Sequence, residues 1–250
     1  MDRRYFLQMS AGLGCAAAFS VDALRAQESI ATPPAVKPLT PPADGPIPVA
    51  FLVSANAVVI DFAGPWEVFQ DVSLPGRGGA FRLYTVGETD KPIRVSAGMT
   101  IVPNYVLETA PPPKLVVIPA QSSSSPAILE WIRESSKRTD VTMSICTGAL
   151  LLAKTGLFSG KAMTTHHGAY DRLAAEHPDV TVVRGARFVD NGNLASSGGL
   201  TSGIDLAFHI VERYFGREVT ENVANRMEYQ GRGWTDPQSN RAYAKAAISK

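Results

Sequence analysis

Cys146 is the residue in this sequence best placed to act as a nucleophile. It follows residues 141–145, a run that predicts a buried strand, and it precedes Thr147-Gly148-Ala149, which opens a predicted helix. A sharp turn from strand to helix is a nucleophile elbow, which holds a side chain open to substrate. Backbone N–H groups at such a turn lower the pKa of a thiol. We therefore expect a reactive thiol with a pKa below its ordinary value. The alternative is a small buried side chain without chemistry.

Other patterns that carry chemistry are missing from the sequence. The second cysteine, Cys15, lies in a predicted export signal, so a disulfide framework and a multi-cysteine metal cluster are excluded. No group of His, Glu and Asp has zinc-ligand spacing, and no glycine-rich phosphate loop precedes a helix. We therefore expect neither a metal nor a cofactor. Lys and Arg total 24 against 23 for Asp and Glu, a balance that disfavours a nucleic-acid partner.

Short apolar runs alternate with amphipathic segments through the body of the chain. The predicted strands are 49–53, 81–86, 100–102, 115–118, 141–145 and 181–183, with a hairpin of 187–190 and 194–196 around Asn191-Gly192. The predicted helices are 126–138, 147–154, 204–214 and 219–227, and another begins near Gly64 with Pro65 in its first turn. This alternation predicts an α/β fold with a mainly parallel sheet and helices on both faces. The loops after Val53, Ile118 and Ile145 then form the expected ligand site.

The sequence divides into four predicted regions. Residues 1–26 form an export signal in which Arg3-Arg4 precedes an apolar stretch, as in a twin-arginine signal; a general secretory signal is the alternative. Residues 27–48 form a proline-rich linker, 49–230 the α/β domain and 231–250 a C-terminal tail. No later stretch has the ~18 apolar residues that cross a membrane. We therefore expect a periplasmic or secreted protein without a membrane partner after signal removal.

Four motifs, in this order and spacing, resemble the DJ-1/PfpI family, a flavodoxin-like branch of the class I glutamine-amidotransferase superfamily. They are Asp61-Phe-Ala-Gly-Pro-Trp-Glu-Val-Phe69, Ser144-Ile-Cys-Thr-Gly-Ala149, Gly156-Leu-Phe-Ser-Gly-Lys-Ala-Met-Thr-Thr-His166 and Ser197-Gly-Gly-Leu-Thr-Ser-Gly-Ile-Asp205. The first two are most similar to isonitrile hydratases and to the ligand domains of AraC-type regulators. The resemblance implies a flavodoxin-like sandwich and a homodimer.

The same resemblance implies roles for individual residues. Cys146 would be the nucleophile, and Asp61 would stand against its sulfur as proton donor and acceptor. The alternative for Asp61 is a helix N-cap. Thr147 would bond to substrate or to Asp61, or would cap its own helix. Gly199 belongs to the fourth motif and is expected in the substrate pocket.

Two segments depart from the family pattern. Thr147 stands where PfpI-type peptidases carry a histidine, so the protease dyad is missing from its expected place. His166 matches a DJ-1-like histidine near the cysteine and is expected in the substrate pocket, whereas the role of the adjacent His167 is open. Pro119-Ala120-Gln121 replaces the usual Pro-Gly-Gly. The backbone amides of Ala120 and Gln121 are expected to form an oxyanion-type pocket, with a geometry that the larger residues restrict.

Three functions fit these features. The first is an exported cysteine-dependent enzyme similar to isonitrile hydratase, which converts an isocyanide and water to an N-substituted formamide. The second is a non-enzymatic ligand sensor of the AraC type, which the predicted export disfavours. The third is a DJ-1-like glyoxalase or stress-protective protein. Asp61 and Thr147 favour the first, with a small molecule as substrate.

Overall fold

The computed structural model describes residues 37–75 and 78–245. The predicted export signal and most of the predicted linker therefore lie outside the described residues. In the part of the chain that is described, no helix is both long enough and apolar enough to cross a membrane.

Seven strands form the central sheet. In spatial order they are β10 (Phe188–Asp190), β11 (Leu194–Ser197), β7 (Val141–Ser144), β6 (Leu115–Ile118), β1 (Ile47–Leu52), β2 (Phe81–Gly87) and β5 (Tyr105–Val106). All neighbours pair in parallel except β10 and β11, which form an antiparallel hairpin. The predicted mainly parallel sheet is thus confirmed, and its hairpin closes one edge. Two short pairs lie apart from it: β3 (Ile93–Arg94) with β4 (Thr100–Ile101), and β8 (Ala162–Met163) with β9 (Thr181–Val182).

Helices cover both faces of the sheet. On one face lie α1 (Val59–Gln70) and α5 (Ser202–Arg226), and on the other lie α2 (Pro126–Ser136), α3 (Gly148–Ala153) and α4 (Tyr170–Glu176). Strand β1 shows why two layers are needed, because Val49 and Phe51 pack towards the first face while Ala50 and Leu52 pack towards the second. Side chains alternate along a strand, so a strand that is apolar throughout must be covered on both sides.

Helices α2 and α3 lie within two residues of their predicted limits, α4 was not predicted, and α1 and α5 differ in ways that have a physical reason. Helix α1 begins at Val59, and Pro65 lies in its interior, so the predicted start near Gly64 is wrong. The error arises because Pro65 lacks only its own N–H bond and the packed apolar face of α1 keeps the helix continuous. Helix α5 has a break at Gly216, where φ is +82°. This break lies between the two helices predicted at 204–214 and 219–227.

The order of the strands places three loops together. From β1 the chain crosses to β2 on one side, and from β6 it crosses to β7 on the opposite side. Strands β1 and β6 are therefore neighbours at the point where the strand order reverses. Ligand sites of open α/β sheets lie at such a point, beyond the carboxyl ends of the strands. The loops after β1, β6 and β7 meet there.

Candidate active site

Cys146 occupies a strained turn between β7 and α3. Its φ is +57°, a left-handed conformation that costs a non-glycine residue free energy and is typical of functional turns. Two hydrogen bonds hold its backbone: the Cys146 N–H donates to the carbonyl of Gly198 (3.0 Å), and the Thr165 hydroxyl donates to the Cys146 carbonyl (2.8 Å). Both the N–H and the carbonyl of Cys146 are therefore held in place, as a nucleophile elbow requires.

Gly148 allows this elbow to lie against the end of β6. A Cβ at this position would come within 2.3 Å of the Ile118 carbonyl oxygen and within 2.7 Å of that of Pro119. Backbone atoms cannot give way by that much, so any other residue would push α3 off the sheet. Gly148 thus has a packing role.

The sulfur of Cys146 is nearly covered. The residue is 6% exposed, and its nearest polar groups that favour a thiolate are the backbone amides of Leu200 and Thr147 and the Thr147 hydroxyl. Burial raises the pKa of the Cys146 thiol to about 11, and the nearby Asp61 carboxylate raises it as well, against the lowering effect of those three donors. The predicted low thiol pKa is therefore wrong. Helix α3 has only six residues, so its dipole does not offset burial beside a carboxylate.

Asp61 lies fully buried in the first turn of α1. Its Oδ2 accepts a hydrogen bond from the Ala120 amide (3.1 Å), while its Oδ1 has no partner among the described residues. Burial raises the pKa of Asp61 to about 7, and the bond from Ala120 partly opposes this shift. The N-cap alternative is wrong, because Val58 is the N-cap and the Asp61 side chain bonds to another loop. A carboxyl with this pKa exists in both protonation states near neutral pH.

The loop after β6 differs from an open oxyanion pocket. The Ala120 amide is already bonded to Asp61, so it is not free to meet a substrate oxygen. Gln121 places both its amide nitrogen and its amide oxygen in buried positions without a hydrogen-bond partner in the described ranges. An unpaired buried amide is costly, so its presence beside the site needs an explanation.

Thr147 points its hydroxyl at the sulfur. It stands at the N-cap position of α3, yet its side chain makes no capping bond there. Its hydroxyl lies near the sulfur of Cys146 and lowers the thiol pKa. The capping role is therefore wrong, and the expected bonds of Thr147 to substrate or to Asp61 stay predictions.

An open pocket of about 210 Å³ lies beside Cys146. Its lining residues are Thr165, His166, His167, Tyr170, Arg187, Gly198, Gly199, Leu200, Thr201, Asn240 and Tyr243. Two of them, Thr165 and Gly198, bond to the backbone of Cys146, and Leu200 lies near its sulfur. The pocket therefore adjoins the turn that carries Cys146, whereas Cys146 and Asp61 are not among its lining residues.

His166 and Gly199 face each other in this pocket. A Cβ on Gly199 would lie 2.4 Å from the His166 ring, so the glycine makes room for the imidazole. His166 Nδ1 accepts a bond from the Gly168 amide (3.1 Å), and burial followed by the neighbouring His167 lowers its pKa. His166 thus lines the pocket, and within the described residues it makes no hydrogen bond to Cys146.

Sequence reasoning missed several residues that contact the site. Thr165 and Leu200 lie within the third and fourth motifs, next to His166 and Gly199, which the sequence places in the pocket. That adjacency is the signal by which they could have been found. Arg187, Asn240 and Tyr243 had no such signal, because their place in the pocket depends on how residues 231–245 pack. The positions of polar residues along the sequence do not show how that segment packs.

A parallel α/β sheet, a strained cysteine at the end of a central strand and a buried carboxyl close to it define a protein with a cysteine nucleophile elbow. The family model described as DJ-1/PfpI family matches residues 48–213. The chain therefore belongs to the DJ-1/PfpI family and has its flavodoxin-like fold.

Relatives of several kinds are similar to this chain. The isonitrile hydratase of Pseudomonas putida is 28% identical over 72% of this chain and 78% of its own length. The Parkinson disease protein 7 homolog of Danio rerio is 32% identical over 53% of this chain and 74% of its own length. The HTH-type transcriptional regulator CdhR of Pseudomonas aeruginosa is 25% identical over 59% of this chain, and the match spans 45% of the regulator.

Solved structures agree on the fold. A THiJ/PfpI family protein from Pseudomonas syringae has a TM-score of 0.67 at 25% identity, covering 75% of this chain and 76% of its own. A putative transcriptional regulator from Vibrio parahaemolyticus has a TM-score of 0.65 at 20% identity, covering 73% and 99%. A named hydratase and named regulators are thus both among the proteins similar to this chain, so the fold does not decide the function and the residues around Cys146 must.

Proposed function

We propose that this protein is a cysteine-dependent hydratase that converts an isocyanide to an N-substituted formamide. The observation that carries the proposal is the pairing of the Cys146 sulfur with a buried Asp61 whose pKa is raised to about 7. Such a carboxyl can take a proton from the thiol and return it within one cycle at neutral pH. The similarity to the P. putida isonitrile hydratase supports this choice of reaction.

In the first step, the Cys146 thiol adds to the terminal carbon of the isocyanide. The Asp61 carboxylate accepts the thiol proton while the sulfur–carbon bond forms, and Asp61 then passes that proton to the same carbon. The product is a thioimidate in which carbon is bonded to sulfur and doubly bonded to nitrogen. The Leu200 amide and the Thr147 amide and hydroxyl stabilise the negative charge that develops on sulfur.

In the second step, water adds to the carbon of the thioimidate. Asp61 accepts a proton from water as the oxygen–carbon bond forms and passes that proton to the nitrogen, which leaves Asp61 ionised again. The adduct then collapses: the carbonyl forms, the carbon–sulfur bond breaks and the hydroxyl proton returns through Asp61 to sulfur. One water is consumed, one formamide is released and the thiol is restored.

A substrate panel on the purified protein tests this function. Methyl, cyclohexyl and phenyl isocyanide would be compared with methylglyoxal, with formamide and lactate as the measured products. Formamide production that is lost in Cys146→Ser supports the proposal. Lactate production without formamide would assign the chain to DJ-1-like glyoxalase chemistry instead.

A second candidate is a ligand-binding domain without chemistry. The nearly covered sulfur and its raised pKa favour this candidate, as does the similarity to HTH-type regulators. It differs from the hydratase in one measurement, because a binding domain holds its ligand equally well in Cys146→Ser and produces no formamide. Isothermal titration of both forms with the isocyanide panel separates the two functions.

Export and dimerisation belong to this proposal as well. The Arg3-Arg4 pair is the sequence feature that supports twin-arginine export to the periplasm. A homodimer stays a prediction from the family resemblance, and sedimentation velocity of the purified chain tests it.

A further inference from the structure

Residues 231–245 are anchored across the pocket side of the molecule. The Pro237 carbonyl accepts a hydrogen bond from the Arg187 amide (2.6 Å), which joins the segment to the residue just before β10. Trp234 is 3% exposed, and its ring lies 5.9 Å from that of Phe208 in α5. A segment with a buried tryptophan and a backbone bond to the sheet has a fixed position.

Asn240 fastens the end of this segment to the pocket. Its Oδ1 accepts from Nη1 of Arg187 (3.2 Å), and its Nδ2 donates to the hydroxyl of Ser202 (3.2 Å). Ser202 begins α5 two residues after Leu200, whose amide lies near the Cys146 sulfur and lowers the thiol pKa. One side chain therefore links the C-terminal segment to the loop that holds the nucleophile.

Tyr243 forms the outer rim of the pocket. Its ring stacks on that of His167 with centroids 5.2 Å apart, and His167 lies 4.3 Å from His166. Tyr243 is nevertheless 53% exposed, and Leu200, another residue of the same pocket, is 43% exposed. Large exposed apolar groups that line one concave site are typical of ligand contacts.

The charge in the pocket is already balanced. Arg187 pairs with the buried carboxylate of Asp205, and its two terminal nitrogens bond to Asn240 and Thr201. The guanidinium therefore holds the wall together, and it offers less to an anionic substrate than an unpaired arginine would. Beside these paired groups, the pocket also presents the exposed side chains of Leu200 and Tyr243.

We infer that Asn240 and Tyr243 form a specificity wall and that Tyr243 selects substrates with a neutral aromatic substituent. The inference rests on the proposed function, because it names the substrate class of that same site. The reactive carbon lies at Cys146, and the substituent lies between Leu200 and the ring of Tyr243. The wall lies outside residues 48–213 that match the family model, so the selectivity is set by this chain's own C-terminal segment.

Alkylation of Cys146 tests the wall without requiring turnover. Iodoacetamide and iodoacetanilide carry the same reacting group, and only the second carries a phenyl ring. The ratio of their rate constants at one pH therefore cancels the thiol pKa and reports on recognition of the ring. We expect Tyr243→Ala to lower this ratio about 3- to 10-fold, the value of one aromatic contact, while Tyr243→Phe retains it.

Tyr105→Ala is the matched control. Tyr105 is also an exposed tyrosine (39%), and it packs on Tyr84 at the far edge of the sheet. It should leave the ratio unchanged. A ratio that stays the same or rises in Tyr243→Ala would overturn the inference, since the ring would then be irrelevant or an obstacle to aromatic reagents.

The selectivity of turnover gives a second readout. Tyr243→Ala should lower kcat/KM for phenyl isocyanide relative to methyl isocyanide by the same factor of about 3 to 10. If the wild-type protein hydrates neither compound, the proposed function fails, and the alkylation ratio still decides whether Tyr243 recognises an aromatic ring. Both ratios unchanged in Tyr243→Ala would reject the wall even in an active hydratase.

Discussion

The backbone amide of Ala120 donates to the carboxyl of Asp61 across 3.1 Å, and this bond joins the first turn of α1 to the loop that follows β6. It orients one carboxyl oxygen and leaves the other, Oδ1, without a partner in the described residues. The carboxyl is thus fixed in direction while one of its oxygens stays available to a proton. A group that moves protons at a buried nucleophile requires both properties.

Asp61→Asn should remove most isocyanide turnover while the protein stays folded. Asparagine keeps an oxygen that can accept the Ala120 amide, but it cannot accept or return the thiol proton. We expect kcat to fall about 100-fold or more, the usual contribution of a general acid–base. Formamide release measures kcat, and circular dichroism checks the fold. Asp90→Asn, at an exposed position outside the site, is the control, and equal turnover in Asp61→Asn and wild type would refute the acid–base role.

The same substitution should change how stability depends on pH. The pKa of Asp61 is about 7 in the folded protein against 3.8 ordinarily, so between pH 4 and 7 the folded state keeps a proton that the unfolded state releases. Wild-type stability therefore falls as pH rises through this range and levels off above 7. Asparagine does not titrate, so the variant does not lose stability in this way. The stability of Asp61→Asn relative to wild type should rise by up to about 4 kcal/mol from pH 4 to 8.

Urea unfolding at pH 5, 6, 7 and 8 measures this difference. The difference in unfolding free energy between wild type and variant at each pH removes the contribution of every other titrating group that the substitution does not affect. A difference that stays constant across the four values would mean that Asp61 has an ordinary pKa in the folded state. The Asp90→Asn control should show no trend.

Alkylation of Cys146 by iodoacetamide should be slow at neutral pH and should rise steadily above it. The thiol pKa is raised to about 11, first by burial and then by Asp61, and the thiolate is the reacting form. Asp61→Asn removes the second cause, so its alkylation at pH 8 should be faster, roughly tenfold for each unit of pKa recovered. A Cys15→Ser background leaves Cys146 as the reacting thiol. A wild-type alkylation rate that reaches a plateau below pH 8.5 would show that the Cys146 thiol has the low pKa expected from the sequence.

The fold and the position of Cys146 in a strand-to-helix turn could be predicted from the sequence, because they depend on local patterns. Apolar runs that alternate with amphipathic segments fix a parallel sheet, and a cysteine between a strand and Gly148 marks the elbow. The thiol pKa could not be predicted, since it depends on how deeply the turn is buried and on Asp61, which lies 85 positions earlier in the chain. Tyr243 was missed for a similar reason, as its stacking on His167 is a long-range contact.

Replacing Arg3 and Arg4 with Lys should trap an unprocessed precursor inside the cell. The twin-arginine pathway reads the arginine pair, whereas a general secretory signal needs only positive charge. Cell fractionation followed by immunoblotting distinguishes precursor from processed protein. Normal processing of the double variant would assign the signal to the general secretory pathway.

Gln121→Met should make the protein more stable and the enzyme slower. Both polar atoms of the Gln121 side chain are buried without a partner in the part of the chain described, and an unpaired buried polar group costs about 1 to 3 kcal/mol. Methionine has a similar shape and no such cost, so the free energy of unfolding should rise by about 1 kcal/mol. If the amide bonds to substrate or to the attacking water, kcat/KM should fall about 2- to 12-fold, the value of one hydrogen bond. Gln70→Met is the matched control, because Gln70 is exposed and bonds to Glu67. A less stable Gln121→Met with unchanged kcat/KM would show that the amide has a structural partner and no part in the reaction.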